Sequence, residues 1–425
     1  MDLLIRNGKV VDPVGGIGGV MDILISGGRI AAIGNDLKAE NAQVIDASGL
    51  VVSAGLVDMH VHLREPGQEH KETIATGCAA AAKGGVTTVA CMPNTKPVID
   101  NPEEIKKVLD KAGAACGVKV IPIGAVTVGQ KGEKLTDFAA QQTAGATALS
   151  DDGVPIQNAN LVRDAMILAK KQNITLLSHC EDADMVCNYA VNEGAVSRWL
   201  GLPGRPAIAE ELMVMRDAML AEETGAAVHI CHVSTARSVS IIRQFKHKGV
   251  AITCETCPQY FTITEDEVIE KGSLARVNPP LRTQHDVEGI IRGLQDGTID
   301  AIATDHAPHT LEEKSKPLAE APSGMVGLET SLALTLTGLY HTGKMDLSDI
   351  LRKMTINPAC ILRINSGRLA LGAEADLTIF DPNEEWVINP HDFVSKGRNT
   401  PFAGKTVKGK VKYTIANGKI IYQEG

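Results

Sequence analysis

Residues 1–54 repeat a pattern of short apolar stretches broken by glycines and single polar residues. "LLIRNGKVVDP", "DILISGGRIAAIG" and "AQVIDASGLVV" have the length and β-branched content of strands, and Asn7-Gly8 and Gly27-Gly28 have the composition of two-residue hairpin turns. The same texture returns at the far end in "ADLTIFDP", "EEWVINP" and "KVKYTIANGKIIY", where Asn417-Gly418 is another such turn. Together the two ends predict a composite β-sandwich domain, residues 1–54 plus 364–425.

Between them the pattern changes. "LVDMHVH", "VTTVACMPN", "VKVIPIGAV", "ATALSDDG", "ITLLSHCED", "AVHICHVS", "VAITCETCP" and "DAIATDHAP" are apolar runs separated by helical stretches. Such runs suit a parallel sheet covered on both faces. Eight of them predict a closed (β/α)8 barrel of the TIM type over residues 55–363, so the fold class is α/β with an appended β domain. One helix announces itself fully: Asn101 can cap, Pro102 suits the first position, Glu103 and Glu104 favour the dipole, and Ile105, Val108, Leu109 and Ala112 supply the apolar face.

Composition narrows the range of partners. The 425 residues are 44% hydrophobic and 22% charged, as in a globular protein, with a formal net charge of −9. Scattered lysines on an acidic chain offer no counterion-displacing stripe, which excludes a nucleic-acid surface and favours a small-molecule substrate. No apolar stretch approaches the ~20 residues needed to span a bilayer, so no membrane partner and a cytoplasmic location are expected. Nine cysteines without a pairing pattern read as reduced thiols, and the CxxC of Cys254 and Cys257 has no second pair to make a zinc ribbon.

In a βα barrel the chemistry stands at the C-terminal ends of the strands. There this chain places His60 and His62, then Asp151 and Asp152, His179, His232 and Asp305. Side chains alternate along a strand, so His60 and His62 share a face and can grip one ion. By the same parity Cys180 and Cys231 should point outward. A single histidine is more often a packed or surface residue, and His70, His247, His285, His341 and His391 are read that way. The joint pattern is different: imidazoles and carboxylates at five strand ends point to a metal centre, because unpaired buried charge is costly.

The motifs "DMHVHLREPG", "MPNT", "SDDG", "SHCED", "HVST", "NPPLR", "TDHAPH" and "GLET", with the terminal "GRLALGAEADLTIFD" and "SKGRNTPFAGKTVKG", resemble the class I dihydroorotases of the amidohydrolase superfamily over essentially the whole length. The resemblance implies two Zn²⁺ per chain, His60, His62 and Asp305 on one, His179 and His232 on the other, with Asp152 and a hydroxide bridging. Strand parity lets only one of Asp151 and Asp152 face inward, and the family pattern selects Asp152. The carboxylated lysine bridge of many relatives is excluded, since no lysine lies between Lys134 and Lys170. The resemblance also makes Asp305 the general acid/base. It assigns substrate recognition to His62, Arg64, Asn94, Asn278 and His309, with the backbone of Ser323 and Gly324 closing over the ligand; Ser323 departs from the larger apolar residue common in relatives. Arg64, two residues beyond His62, can present its planar fork to a carboxylate.

The implied reaction is the reversible cyclisation of N-carbamoyl-L-aspartate to L-dihydroorotate in pyrimidine biosynthesis. A homodimer and an association with aspartate transcarbamoylase are the expected assemblies. Dihydropyrimidinase (hydantoinase) and allantoinase chemistry are the enzymatic alternatives, against which the aspartate bridge and "MPNT" speak. A catalytically silent scaffold homologue is the other, against which the complete ligand set speaks.

Overall fold

The N-terminal apolar runs form five strands: β1 (Leu3–Val11), β2 (Gly18–Ser26), β3 (Arg29–Gly34), β4 (Gln43–Asp46) and β5 (Val51–Ala54). The computed structural model describes residues 2–16, 18–115, 117–187 and 189–425. Gly27 and Gly28 make the β2–β3 hairpin turn with φ of 58° and 77°, the left-handed pair such a turn demands. Asn7-Gly8 does not turn the chain. Asn7 takes φ 60° inside β1, where the register with β2 shifts between Ile5 and Gly8. The same dipeptide suits a bulge as well as a turn, and pairing with β2 on both sides of it decides the outcome.

All eight anticipated barrel segments are strands. β6 (Leu56–Val61), β7 (Val86–Cys91) and β8 (Lys119–Pro122) pair in parallel, as do β9 (Ala148–Ser150) and β10 (Thr175–Ser178). A short parallel pair, β11 (Val191–Asn192) and β12 (Gly204–Arg205), lies in the excursion that follows. Then β13 (Val228–Ile230), β14 (Ile252–Thr256) and β15 (Ala301–Ile302) extend the sheet beyond β10. Parallel bridges Gly124↔Leu149 and Val61↔His306 join the two arcs into a ring. The helix Pro102–Gly113 packs outside, with Asn101 Oδ1 accepting from the N–H of Glu103 and Glu104 and with Ile105 and Val108 buried.

Inside the ring, Met59, Ala90, Met92, Ile123, Ala148, Leu177, Ala301, Ala303 and Leu362 form a filled plug. A packed interior leaves the mouth at the strands' C-terminal ends as the place for chemistry.

The C-terminal runs complete the other sheet as β16 (Leu377–Val387), β17 (Thr406–Ala416) and β18 (Lys419–Gln423). "ADLTIFDP" and "EEWVINP", anticipated as two strands, are one, with an irregularity between Asp381 and Glu385 where the Asp381 carboxylate accepts from the N–H of Asn383 and Glu384. β16 pairs antiparallel with β5, Leu377↔Ala54 through Phe380↔Val51, so strands from both ends share one eight-stranded sheet. Among the described residues no helix is long and apolar enough to cross a membrane.

Candidate metal centre

His60 is wholly buried, and its Nδ1 lies 2.6 Å from Glu255 Oε1. The carboxylate can hold a proton on Nδ1, which would free Nε2 to offer its lone pair to a cation in the barrel mouth. His62 is held the same way: Nδ1 donates to Asn94 Oδ1 at 2.9 Å, and Nε2 faces Asp305 Oδ1 at 3.0 Å. Two acceptors confront each other there, an arrangement that a cation between them resolves. The second group lies alongside, with His179 Nδ1 and His232 Nε2 2.8 Å apart and each 3.4 Å from Asp152 Oδ1. Asp152 also stands 3.5 Å from both His60 Nε2 and His62 Nε2.

Asp152 Oδ1 and His60 Nε2 are buried without a hydrogen-bond partner. Separations of 3.4–3.6 Å are long for hydrogen bonds. They match the spacing of ligands on a shared tetrahedral ion, whose bonds of about 2.0–2.2 Å set neighbours about 3.3–3.6 Å apart. His60, His62 and Asp305 form one set whose ligand atoms lie within 4.8 Å of one another, and Asp152, His179 and His232 form another. The donor set fits divalent metal. Burial works against the charge of Asp152, but His60, His179 and His232 overcome it and hold the carboxyl well below its ordinary range. Asp151 turns away and accepts from the N–H of Val126 and Thr127 instead.

A cavity of about 190 Å³ opens above these ligands, lined by His62, Asp152, His179, His232 and Asp305 and by Arg64, Asn94, Asn278, His309, Ser323 and Gly324. His60 lies beneath it. Arg64 is buried, with Nε donating to Pro308 O at 3.2 Å. His309 Nε2 donates to Ser323 O at 2.9 Å, and burial among the cations Arg64, Lys71 and Lys314 keeps the ring neutral, its pKa driven down to about 2. Three non-glycine residues here, Arg64, His232 and Asp305, have left-handed backbones with φ of 60°, 34° and 47°. Such strain gathers where side-chain aim matters more than backbone comfort.

His232's left-handed backbone also corrects the parity argument. Cys180 lies outside among the helices, near Asp217, but Cys231 faces the interior plug and its Sγ reaches the His60–Asp152 group. Alternation fails because β13 ends at Ile230 and the chain twists at His232. Burial pushes the Cys231 thiol up to about 12, so it stays protonated. Cys254 and Cys257 are fully buried. Cys116 lies outside the described residues.

Sequence patterns missed the supporting shell. Glu255 also faces His229, whose Nε2 stands 3.5 Å away; burial opposes its charge, but His60 and His229 hold its pKa near 2. Glu181 Oε2 lies 3.6 Å from His179 Nε2 and accepts from Asn278 Nδ2 at 3.2 Å. Arg205 Nη1 donates to Glu181 Oε1 at 2.7 Å and to Asn278 Oδ1. The available signal was a carboxylate inside an apolar strand, "AITCET", where an acid is not retained without a partner.

The barrel, the terminal β sheet and the histidine–aspartate cluster define the chain as one of the metal-dependent amidohydrolases. Residues 49–238 match the dihydro-orotase-like family model and residues 320–422 the amidohydrolase family model. The chain is 48% identical over 422 residues to a dihydroorotase of Acetivibrio thermocellus, covering 99% of each, and 50% identical over 428 residues to one of Pelotomaculum thermopropionicum, covering 100% of this chain and 99% of that one. It belongs to the dihydroorotase family. Among solved structures it resembles the L-hydantoinase (dihydropyrimidinase) of Arthrobacter aurescens, with a TM-score of 0.90 at 25% identity and coverage of 100% and 96%. The dihydropyrimidinase of Brevibacillus agri, with a TM-score of 0.87 at 24% identity over 100% and 95%, shares the fold.

Proposed function

We propose that this chain closes N-carbamoyl-L-aspartate to L-dihydroorotate and water, reversibly, in pyrimidine biosynthesis. The observation that carries the reading is Arg64 on the wall of the same cavity as both ligand groups. A guanidinium there answers the substrate's carboxylate, which the neutral rings of dihydrouracil and hydantoin lack. Full-length identity near half to named dihydroorotases supports this reading over the hydantoinase one, which rests on fold likeness.

The division of labour we propose gives the chemistry to residues 55–363 and leaves 1–54 with 364–425 to a supporting β domain. His60, His62 and Asp305 would hold one zinc, His179 and His232 a second, and Asp152 both. Zinc bound there supplies Lewis acidity that lowers the pKa of water and polarises an amide carbonyl. In hydrolysis a C–O bond forms, the ring C–N bond breaks, and the proton of the attacking water ends on the released nitrogen. Asp305 is the group that carries it, taking the proton on a carboxylate oxygen and delivering it to the leaving nitrogen. Arg64 and Asn94 orient one side of the substrate and Asn278 the other. His309, kept neutral, holds the Ser323 carbonyl and with it the Ser323–Gly324 wall. Gly324 suits that wall: a Cβ on it would lie 2.7 Å from Ala307 Cβ.

The test is steady-state turnover of dihydroorotate beside dihydrouracil, hydantoin and allantoin, with zinc counted on the same sample. Dihydroorotate turnover with about two zincs per chain is expected. Preference for a neutral ring would reject the substrate, and full activity at one metal would reject the paired centre. A homodimer is our proposed assembly, to be read by light scattering.

A further inference from the structure

Lys314 is 2% exposed and does not line the cavity, yet its Nζ donates to three backbone carbonyls: Arg276 O at 3.2 Å, Pro322 O at 3.0 Å and Gly324 O at 3.0 Å. The neighbouring acid Glu313 is turned aside to Lys71, with 2.9 Å between Oε1 and Nζ. Three carbonyls match the three donors of an ammonium, while burial and the neighbouring Arg276 pull its pKa down to about 7. Burying it without a carboxylate is expensive, and an apolar side chain would fill the space at less cost.

The three carbonyls belong to two segments of the pocket. Arg276 stands two residues before Asn278, and Pro322 and Gly324 flank Ser323. The lysine itself ends the short helix Leu311–Lys314, capped by Thr310, the residue after His309. Asn278, Ser323 and Gly324 therefore sit within two residues of an atom the ammonium holds, and His309 at the start of the turn that carries it. The segments also touch directly, Gly324 N–H donating to Arg276 O at 2.9 Å and Arg276 Nε to Ser323 Oγ at 3.3 Å, but neither bond includes the His309 turn.

We propose that Lys314 is a positioning residue that pins residues 276–278 and 322–324 to the His309 turn and so sets the shape of the substrate-binding wall. This rests on the dihydroorotase reading for its substrate. His60, His62, Asp152, His179 and His232 lie at other strands' ends, and Asp305 follows β15 four residues ahead of His309, so the wall can loosen while the metal centre and the proton carrier stay in place. Binding then weakens and the chemical step does not.

Lys314→Met keeps the bulk of the stem and removes the one donor common to the three carbonyls, although Arg276 O keeps the Gly324 N–H and Gly324 O keeps Asn399 Nδ2 at 3.0 Å; Lys314→Gln keeps two N–H donors. At matched zinc content Lys314→Met should raise KM for dihydroorotate about tenfold or more with kcat within about threefold, and Lys314→Gln should recover part of the loss. Unchanged KM in Lys314→Met, or a fall in kcat at constant KM, overturns the proposal. If Lys314→Met yields no folded protein, Lys314→Gln decides by the same two quantities. Hydrogen exchange gives a readout that needs no substrate: amides of 276–278 and 322–324 should exchange faster in the variants while β6 and β13 are unchanged. A wild type that ignores dihydroorotate while these amides respond would reject the substrate and keep the positioning role. Unaltered exchange in these segments rejects the role itself.

Discussion

Replacing Glu255 by glutamine keeps the shape of the side chain and removes the charge that grips His60 Nδ1 at 2.6 Å. Zinc affinity should fall about 10- to 100-fold, read by competition with a chelating dye, because an outer carboxylate both orients a ligand and raises its basicity. Unaltered affinity would mean that packing alone aims His60. Arg64 calls for a different quantity. A charge-assisted hydrogen bond contributes about 1.5–3 kcal/mol, so Arg64→Ala should lower kcat/KM for dihydroorotate roughly ten- to a hundredfold while dihydrouracil loses far less. Equal losses for both substrates would point to a folding or metal defect. His60 and His62 were legible because two residues on one strand carry their own geometry. Choosing Asp152 over Asp151 needed the family's motif. Glu255 was not legible, since its partner His60 is 195 positions away and nothing local names it.

Two hairpin tips, from β2–β3 and β17–β18 at opposite ends of the eight-stranded sheet's strand order, meet at Gly28 and Gly418. A Cβ on Gly418 would lie 2.6 Å from Gly28 Cα, and φ there is 72°; Gly343 has a similar φ of 69° with nothing within 4 Å. Alanine at either position pays roughly 1–2 kcal/mol for a left-handed backbone, but at Gly418 it also forces two turns apart. Gly418→Ala should therefore unfold at clearly lower temperature than Gly343→Ala, with calorimetry as the measure, and equal midpoints would show that the tips yield freely. Elements were the most readable scale. Apolar runs marked all eight barrel strands, and Gly27-Gly28 and Asn417-Gly418 turned as their composition demands. Asn7-Gly8 misled because whether a dipeptide turns or bulges depends on the strand beside it, here β2.

For the molecule as a whole, a divalent metal bound at this centre should add stability as well as chemistry. Stripping the cations leaves buried acceptors such as Asp152 Oδ1 facing lone pairs, so the thermal midpoint should drop on chelation and climb with added zinc, following the linkage RT ln(1 + [L]/Kd). Imidazoles must shed protons to bind, so zinc affinity should weaken as pH falls, and titration calorimetry in two buffers would register the released protons. A midpoint indifferent to chelation would separate the ligands from the fold. Barrel closure was legible from the count of strands, whereas the seam between β5 and β16 could be anticipated only as shared texture at the two ends. That seam has a bearing on biosynthesis. Val51–Ala54 leaves the ribosome more than 300 residues ahead of Leu377–Phe380, a wait of about 20–60 s at ordinary translation rates. During it an apolar strand edge stands open, the kind of edge that recruits other chains. Nascent chains halted before Leu377 should therefore aggregate or engage chaperones, detectable by sedimentation of stalled or truncated products, and residues 377–425 act as the cover that ends the exposure.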